Sequence, residues 1–202
     1  MKYDALIIDT MNIFYRVSIH KTESSSLVSK KKVYKESICK FIEKINELVD
    51  EYSYHDGDIY LLFDNPTSRI ELQSAFMYAG RKEIFPDYKA NRVKESKEFY
   101  NSIGLIKYYY LLKESNYRCL QASRLEADDL VKPLLEYRLK GKAVLLVSND
   151  LDWAKDMSEK VHWLKQWDEV IGPDEINQKL DFHVTEASLV AYKAIYGDSS
   201  DN

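Results

Sequence analysis

Two cysteines, Cys39 and Cys119, are all that the 202 residues contain, too few and too far apart for a disulfide framework or a zinc cluster. Both read as small apolar core residues. Only six glycines are present, with no Walker or dinucleotide-type loop, so phosphate binding by a glycine-rich turn is excluded. The four histidines, His20, His55, His162 and His183, are scattered, and no Ser/His/Asp constellation supports nucleophilic catalysis. No apolar run approaches the roughly 20 residues that span a bilayer. The N-terminus passes through Lys2-Tyr3-Asp4 straight into a short apolar strand, without a secretory cleavage pattern. A cytoplasmic protein with no membrane partner is the expectation.

What the chain does have is size and apolar content for one α/β domain, at 45% hydrophobic and 31% charged residues. Continuous apolar runs read as strands buried on both faces, as in a parallel sheet covered by helices. Each ends on an acid. Ala5-Leu6-Ile7-Ile8 leads to Asp9, and Ile59-Tyr60-Leu61-Leu62-Phe63 to Asp64. Residues 143–149 lead to Asp150 and Asp152, while Asp198 and Asp201 lie at the end of the sequence. In open parallel sheets, sites form beyond the carboxyl ends of the strands.

The stretch Leu125-Glu126-Ala127-Asp128-Asp129-Leu130 packs three carboxylates into four positions at the start of a helix that continues through Leu134, Leu135 and Leu139. Negative side chains in a first turn offset the positive end of the helix dipole. They can equally project off the helix start toward one point and form a metal or acid site.

Helices are expected over 12–19, with Arg16 as the notable charge, from Val33 to Tyr52, and over 69–78, 97–114, 173–180 and 185–196. Short strands are expected at 117–120 and 161–164. Residues 24–32 read as a polar loop. The formal net charge is −4, yet with nine clustered carboxylates set aside, 24 acids face 29 Lys and Arg. An acidic site inside a basic body is compatible with that balance. The basic passage, residues 81–94, carries Arg81, Lys82, Lys89, Arg92 and Lys94 around Phe85 and Tyr88. It reads either as a solvated charge run or as a grip on phosphates with a ring for stacking.

Converging carboxylates cannot all stay ionised without cations. Oxygen donors without cysteine or histidine pairs favour Mg²⁺ or Mn²⁺ over zinc. Two ions about 4 Å apart can clamp a phosphodiester, which makes nucleic-acid hydrolysis the sharpest chemical expectation, with Lys89 and Arg92 the best placed cations.

The ordered motifs resemble the 5′-nuclease family: flap endonucleases, the 5′-nuclease domain of bacterial DNA polymerase I, and phage 5′-exonucleases or ribonucleases H. Carrying the resemblance are residues 8–16 from Ile8-Asp9 to Arg16, Leu62-Phe63-Asp64, and Tyr88-Lys89-Ala90-Asn91-Arg92. Glu126-Ala127-Asp128-Asp129, Ser148-Asn149-Asp150-Leu151-Asp152 and Gly197-Asp198-Ser199-Ser200-Asp201-Asn202 complete the order.

The resemblance implies a PIN-like, Rossmann-like α/β fold, mostly parallel, with a helical arch over about 81–115. It implies a single catalytic domain over 1–202, a monomer, without the family's helix-hairpin-helix element. Asp9, Asp64, Glu126 and Asp128 would lie near one Mg²⁺, with Asp129 close by. Asp150, Asp152 and Asp201 would serve a second, supported by Asp198, and Mn²⁺ would substitute. Lys89, Arg92 and Asp150 would be catalytic, while Arg16, Arg81, Lys82, Tyr88, Lys89, Arg92 and Lys94 would bind nucleic acid. The implied substrate is DNA with a 5′ flap or 5′ end, or an RNA/DNA hybrid, in a bacterial or phage-infected cell. The other readings are a PIN-like ribonuclease on single-stranded RNA and a DNA-binding domain with little activity.

Overall fold

A computed structural model describes residues 1–18, 27–64, 96–113, 116–122 and 125–197, with backbone alone for 27–33. Among the described residues the strands are β1 (Tyr3–Asp9), β2 (Ser53–Leu62), β3 (Tyr117–Leu120), β4 (Val144–Val147), β5 (Val161–Leu164) and β6 (Val170–Ile171). They form one sheet in the order β3-β2-β1-β4-β5-β6. Every pairing is parallel except the β5–β6 edge hairpin. The expected mostly parallel α/β architecture is the one observed.

Strand alternation explains why both faces are covered. Along β1, Leu6 and Ile8 join one apolar cluster, whereas Ala5 and Ile7 join the other. On the first face lie α1 (Thr10–Ser18), α2 (Leu27–Tyr52) and α3 (Lys97–Leu112), which contribute Phe14, Phe41, Ile45, Phe99, Ile106 and Tyr110. The second face receives Ala127, Val131, Trp153 and Ile176, the last from α4 (Pro173–Leu180). Thr185 and Ser188 cap α5 (Glu186–Tyr196) reciprocally.

Two expectations are corrected, and two short elements stand where none was expected. Residues 27–32, read as loop, belong to α2, because the apolar repeat that follows extends the helix back through the lysine run. The acidic stretch does not open a regular helix. Asp128–Leu130 is a 3₁₀ turn, Val131–Pro133 one α turn and Leu134–Arg138 a π-helical turn closed by Leu139 N–H on the Leu134 carbonyl at 2.9 Å. Pro133 supplies the reason: it lacks the N–H that a regular helix would offer the Asp129 carbonyl. Lastly, the two-residue β6 and the 3₁₀ helix Leu151–Asp156 carry no period long enough to read in sequence.

The expected helix over 69–78 and the arch range up to residue 95 lie outside the described residues. Within the remainder of that range, α3 is packed against α2 and the sheet, with Ser96 capping its first turn.

Candidate metal centre

Register gathers the acids. Asp9 closes β1 opposite Leu62 of β2, and Ile8 lies opposite Val147 of β4, so Asp9, Asp64 and Ser148 leave neighbouring strands at one edge. Continuing the alternation by one or two residues puts all three on the second face, where Ala5, Leu62 and Leu146 point.

Asp9 is 9% exposed and accepts two hydrogen bonds, from the Asn12 N–H at 3.0 Å and the Ser148 hydroxyl at 2.9 Å. Its carboxyl is pushed up to about 7, first by burial and then by the charge of Asp64, with a smaller push from Asp150; the two hydrogen bonds pull the other way. The Asp64 carboxylate accepts the Ala127 N–H at 2.8 Å, which ties the end of β2 to the acidic turn, and Gln121 donates to the Asp64 carbonyl at 2.8 Å.

Asp150 caps the 3₁₀ helix Leu151–Asp156 by accepting the Asp152 N–H at 3.0 Å, and its own N–H donates to the Ser148 hydroxyl at 3.1 Å. Burial raises the Asp150 pKa, and the charges of Asp152 and Asp128 push in the same direction. Asp128, equally buried, faces Lys155 at 3.6 Å, and Asp152 faces Lys193 of α5 at 2.6 Å. Asp9, Asp64, Asp128, Asp150 and Asp152 thus share one electrostatic neighbourhood. Asp129 accepts the Glu126 N–H at 2.9 Å, a local closure of the acidic turn.

The donors are oxygens alone: Lys155 and Lys193 face Asp128 and Asp152, while Asp9 and Asp150 are pushed up by burial first and also by neighbouring acids. That chemistry fits a hard divalent ion keeping several waters. Among the described residues, no three His, Cys, Asp or Glu side chains stand close enough together to hold a metal ion as they are, and Lys155 and Lys193 face two of the carboxylates. Residues 4–181 match the model of the 5′-3′ exonuclease N-terminal, resolvase-like domain. The chain belongs to that family.

A DNA polymerase I of Rhizobium leguminosarum is 30% identical over 124 residues, covering 60% of this chain and 12% of the polymerase. A 5′-3′ exonuclease of Buchnera aphidicola is 26% identical over 162 residues, covering 80% of this chain and 49% of the relative. The chain therefore spans at most about half the length of these two relatives. A bacteriophage T5 flap endonuclease, solved with DNA and metal ions, superposes with TM-score 0.67 at 18% identity, over 98% of this chain and 68% of that one. The two share the fold.

Arg16, expected to meet nucleic acid, stacks on Trp167 with its guanidinium carbon 3.7 Å from the ring centroid. Arg81, Lys82, Tyr88, Lys89, Arg92, Lys94, Asp198 and Asp201 lie outside the described residues. Sequence reasoning gave no role to Ser148, Asn12, Gln121, Lys155 or Lys193. Ser148 and Asn12 stand inside motifs already singled out, which was the available signal; the lysines had none.

Proposed function

We propose that the chain is the catalytic part of a metal-dependent 5′-nuclease that hydrolyses phosphodiesters near the 5′ end of flap or branched DNA, or of an RNA/DNA hybrid, in replication or repair. The observation that carries this is the single sheet edge where Asp9, Asp64, Asp128, Asp150 and Asp152 feel one another's charge. Two Mg²⁺ ions, replaceable by Mn²⁺, would supply a polarised water and neutralise charge on the departing oxygen. Asp9, Asp64 and Asp128, with Glu126 and Asp129 beside them, would hold one; Asp150 and Asp152, joined by Asp201 and supported by Asp198, the other.

Ser148 keeps Asp9 and Asp150 oriented, and Trp163 holds Ser148 in turn by donating its indole N–H to the Ser148 carbonyl at 2.8 Å. Lys89 and Arg92 would meet the scissile phosphate, with Arg81, Lys82, Tyr88 and Lys94 along the strand. The protein would act as a monomer inside a bacterial or phage-infected cell. Among the described residues no helix is long and apolar enough to cross a membrane.

Incubating the chain with a labelled 5′-flap duplex and with single-stranded RNA, each with Mg²⁺, Mn²⁺ or EDTA, tests the reading. Metal-dependent cutting of the flap duplex is expected. Cutting of RNA alone would point to a PIN-like ribonuclease, and binding without cutting to a DNA-holding domain.

A further inference from the structure

Trp167 lies in the turn between β5 and β6, half-buried against the α1 and α2 side of the sheet. Among the described residues, two cations approach its ring: Arg16 from α1, and Lys44 from α2 with its ammonium 4.8 Å from the centroid. They are not equivalent. Lys44 already pairs with Glu47 at 3.0 Å, whereas no carboxylate pairs with Arg16 among the described residues. A guanidinium lying on an indole satisfies its flat face and keeps its in-plane N–H groups for an anion. Arg16 is six residues beyond Thr10, about 9 Å along α1 from the end that carries Asp9. That is the span of a few 3.4 Å nucleotide steps.

We infer that Trp167 is a positioning residue for phosphate recognition: its ring holds Arg16 flat, so that the guanidinium edge meets a backbone phosphate of the strand passing the carboxylate cluster. The inference deepens the nuclease reading and rests on it. Trp167 touches no substrate; it acts through Arg16.

The test is equilibrium binding of a labelled 5′-flap duplex to the whole chain in EDTA, between 50 and 200 mM salt. Arg16→Ala is expected to weaken binding roughly three- to ten-fold at the low-salt end and to reduce the salt slope by about one. Trp167→Leu is expected to do the same, Trp167→Phe to retain most of the affinity, and the double variant to bind no worse than either single one. Arg16→Lys keeps the charge but loses the flat stack, so it too should weaken binding; this arm keeps the question open to disproof if Trp167→Leu does not fold.

An unchanged slope in Trp167→Leu, or wild-type affinity in Arg16→Lys, overturns the positioning role while leaving the nuclease reading intact. A wild-type chain that neither binds nor cuts the flap duplex overturns both.

Discussion

The Ser148 hydroxyl donates to Asp9 Oδ2 at 2.9 Å across 139 residues of chain, and the same oxygen accepts the Asp150 N–H at 3.1 Å. One small side chain thus sets the spacing of two acids from different strands. Ser148→Ala strips a partner from a buried carboxylate and from a backbone donor. It should cost about 1–3 kcal/mol of stability, measured by urea unfolding in EDTA, and weaken Mg²⁺ binding about 10–100-fold. Unfolding and metal titration curves that superpose on wild type would remove Ser148 from the centre.

Divalent ions should stabilise the fold. Asp9 is pushed up by burial and by Asp64, so the folded chain carries a repulsion that a bound cation relieves. At a Mg²⁺ concentration 100 times the dissociation constant the gain is about 2.7 kcal/mol. Thermal melts across a Mg²⁺ titration, with Ca²⁺ and EDTA arms, read it directly. A melting temperature indifferent to all three would contradict the metal-centre assignment.

Asp150→Asn should abolish most cleavage while leaving flap-DNA binding in EDTA within about two-fold of wild type. It should also shrink the Mg²⁺-dependent rise in melting temperature, since one charged ligand is gone. Turnover at the wild-type rate would disqualify Asp150.

Asp156 offers a prediction independent of metal. It ends the 3₁₀ helix Leu151–Asp156 with its Oδ2 buried and unpartnered among the described residues. Burial pushes it from 3.8 up to about 6; Lys155 and Lys132 oppose the shift and Asp128 and Glu186 add to it. Because the folded pKa lies above the unfolded one, the folded state binds the proton more tightly. This group's contribution is therefore fully present below about pH 4 and lost as pH rises through about 6. Asp156→Asn should raise stability at pH 7 by about 1–3 kcal/mol, with the gain vanishing near pH 3. Parallel curves for the two proteins over that window would refute it.

The strands of the fold were legible where β1, β2 and β4 carry apolar runs, residues 5–8, 59–62 and 144–147, and the acids after those runs mark one edge of a parallel sheet; the polar first half of β2 gave no such signal. Asp9, Asp64 and Asp150 could be read from position alone. Ser148 could not, since its hydroxyl matters only once β1 and β4 are neighbours. Lys155 and Lys193 were hidden for the same reason: each meets its acid through tertiary packing. The acidic turn misled because its period looks helical, while Pro133 breaks the bonding that the period presumes. The lysine run 30–32 reads as loop in sequence because its charge masks the helical continuation into α2.

Sheet order has a consequence for synthesis. β1 leaves the ribosome first but sits at the centre, flanked by β2 and by β4, whose first residue in the ladder is Val144. A nascent chain stopped before that point leaves one flank of the central strand bare. Parallel pairings so distant in sequence form slowly and leave the strand edge open to aggregation meanwhile. The acidic pocket can therefore come into being only after β4 has docked beside β1.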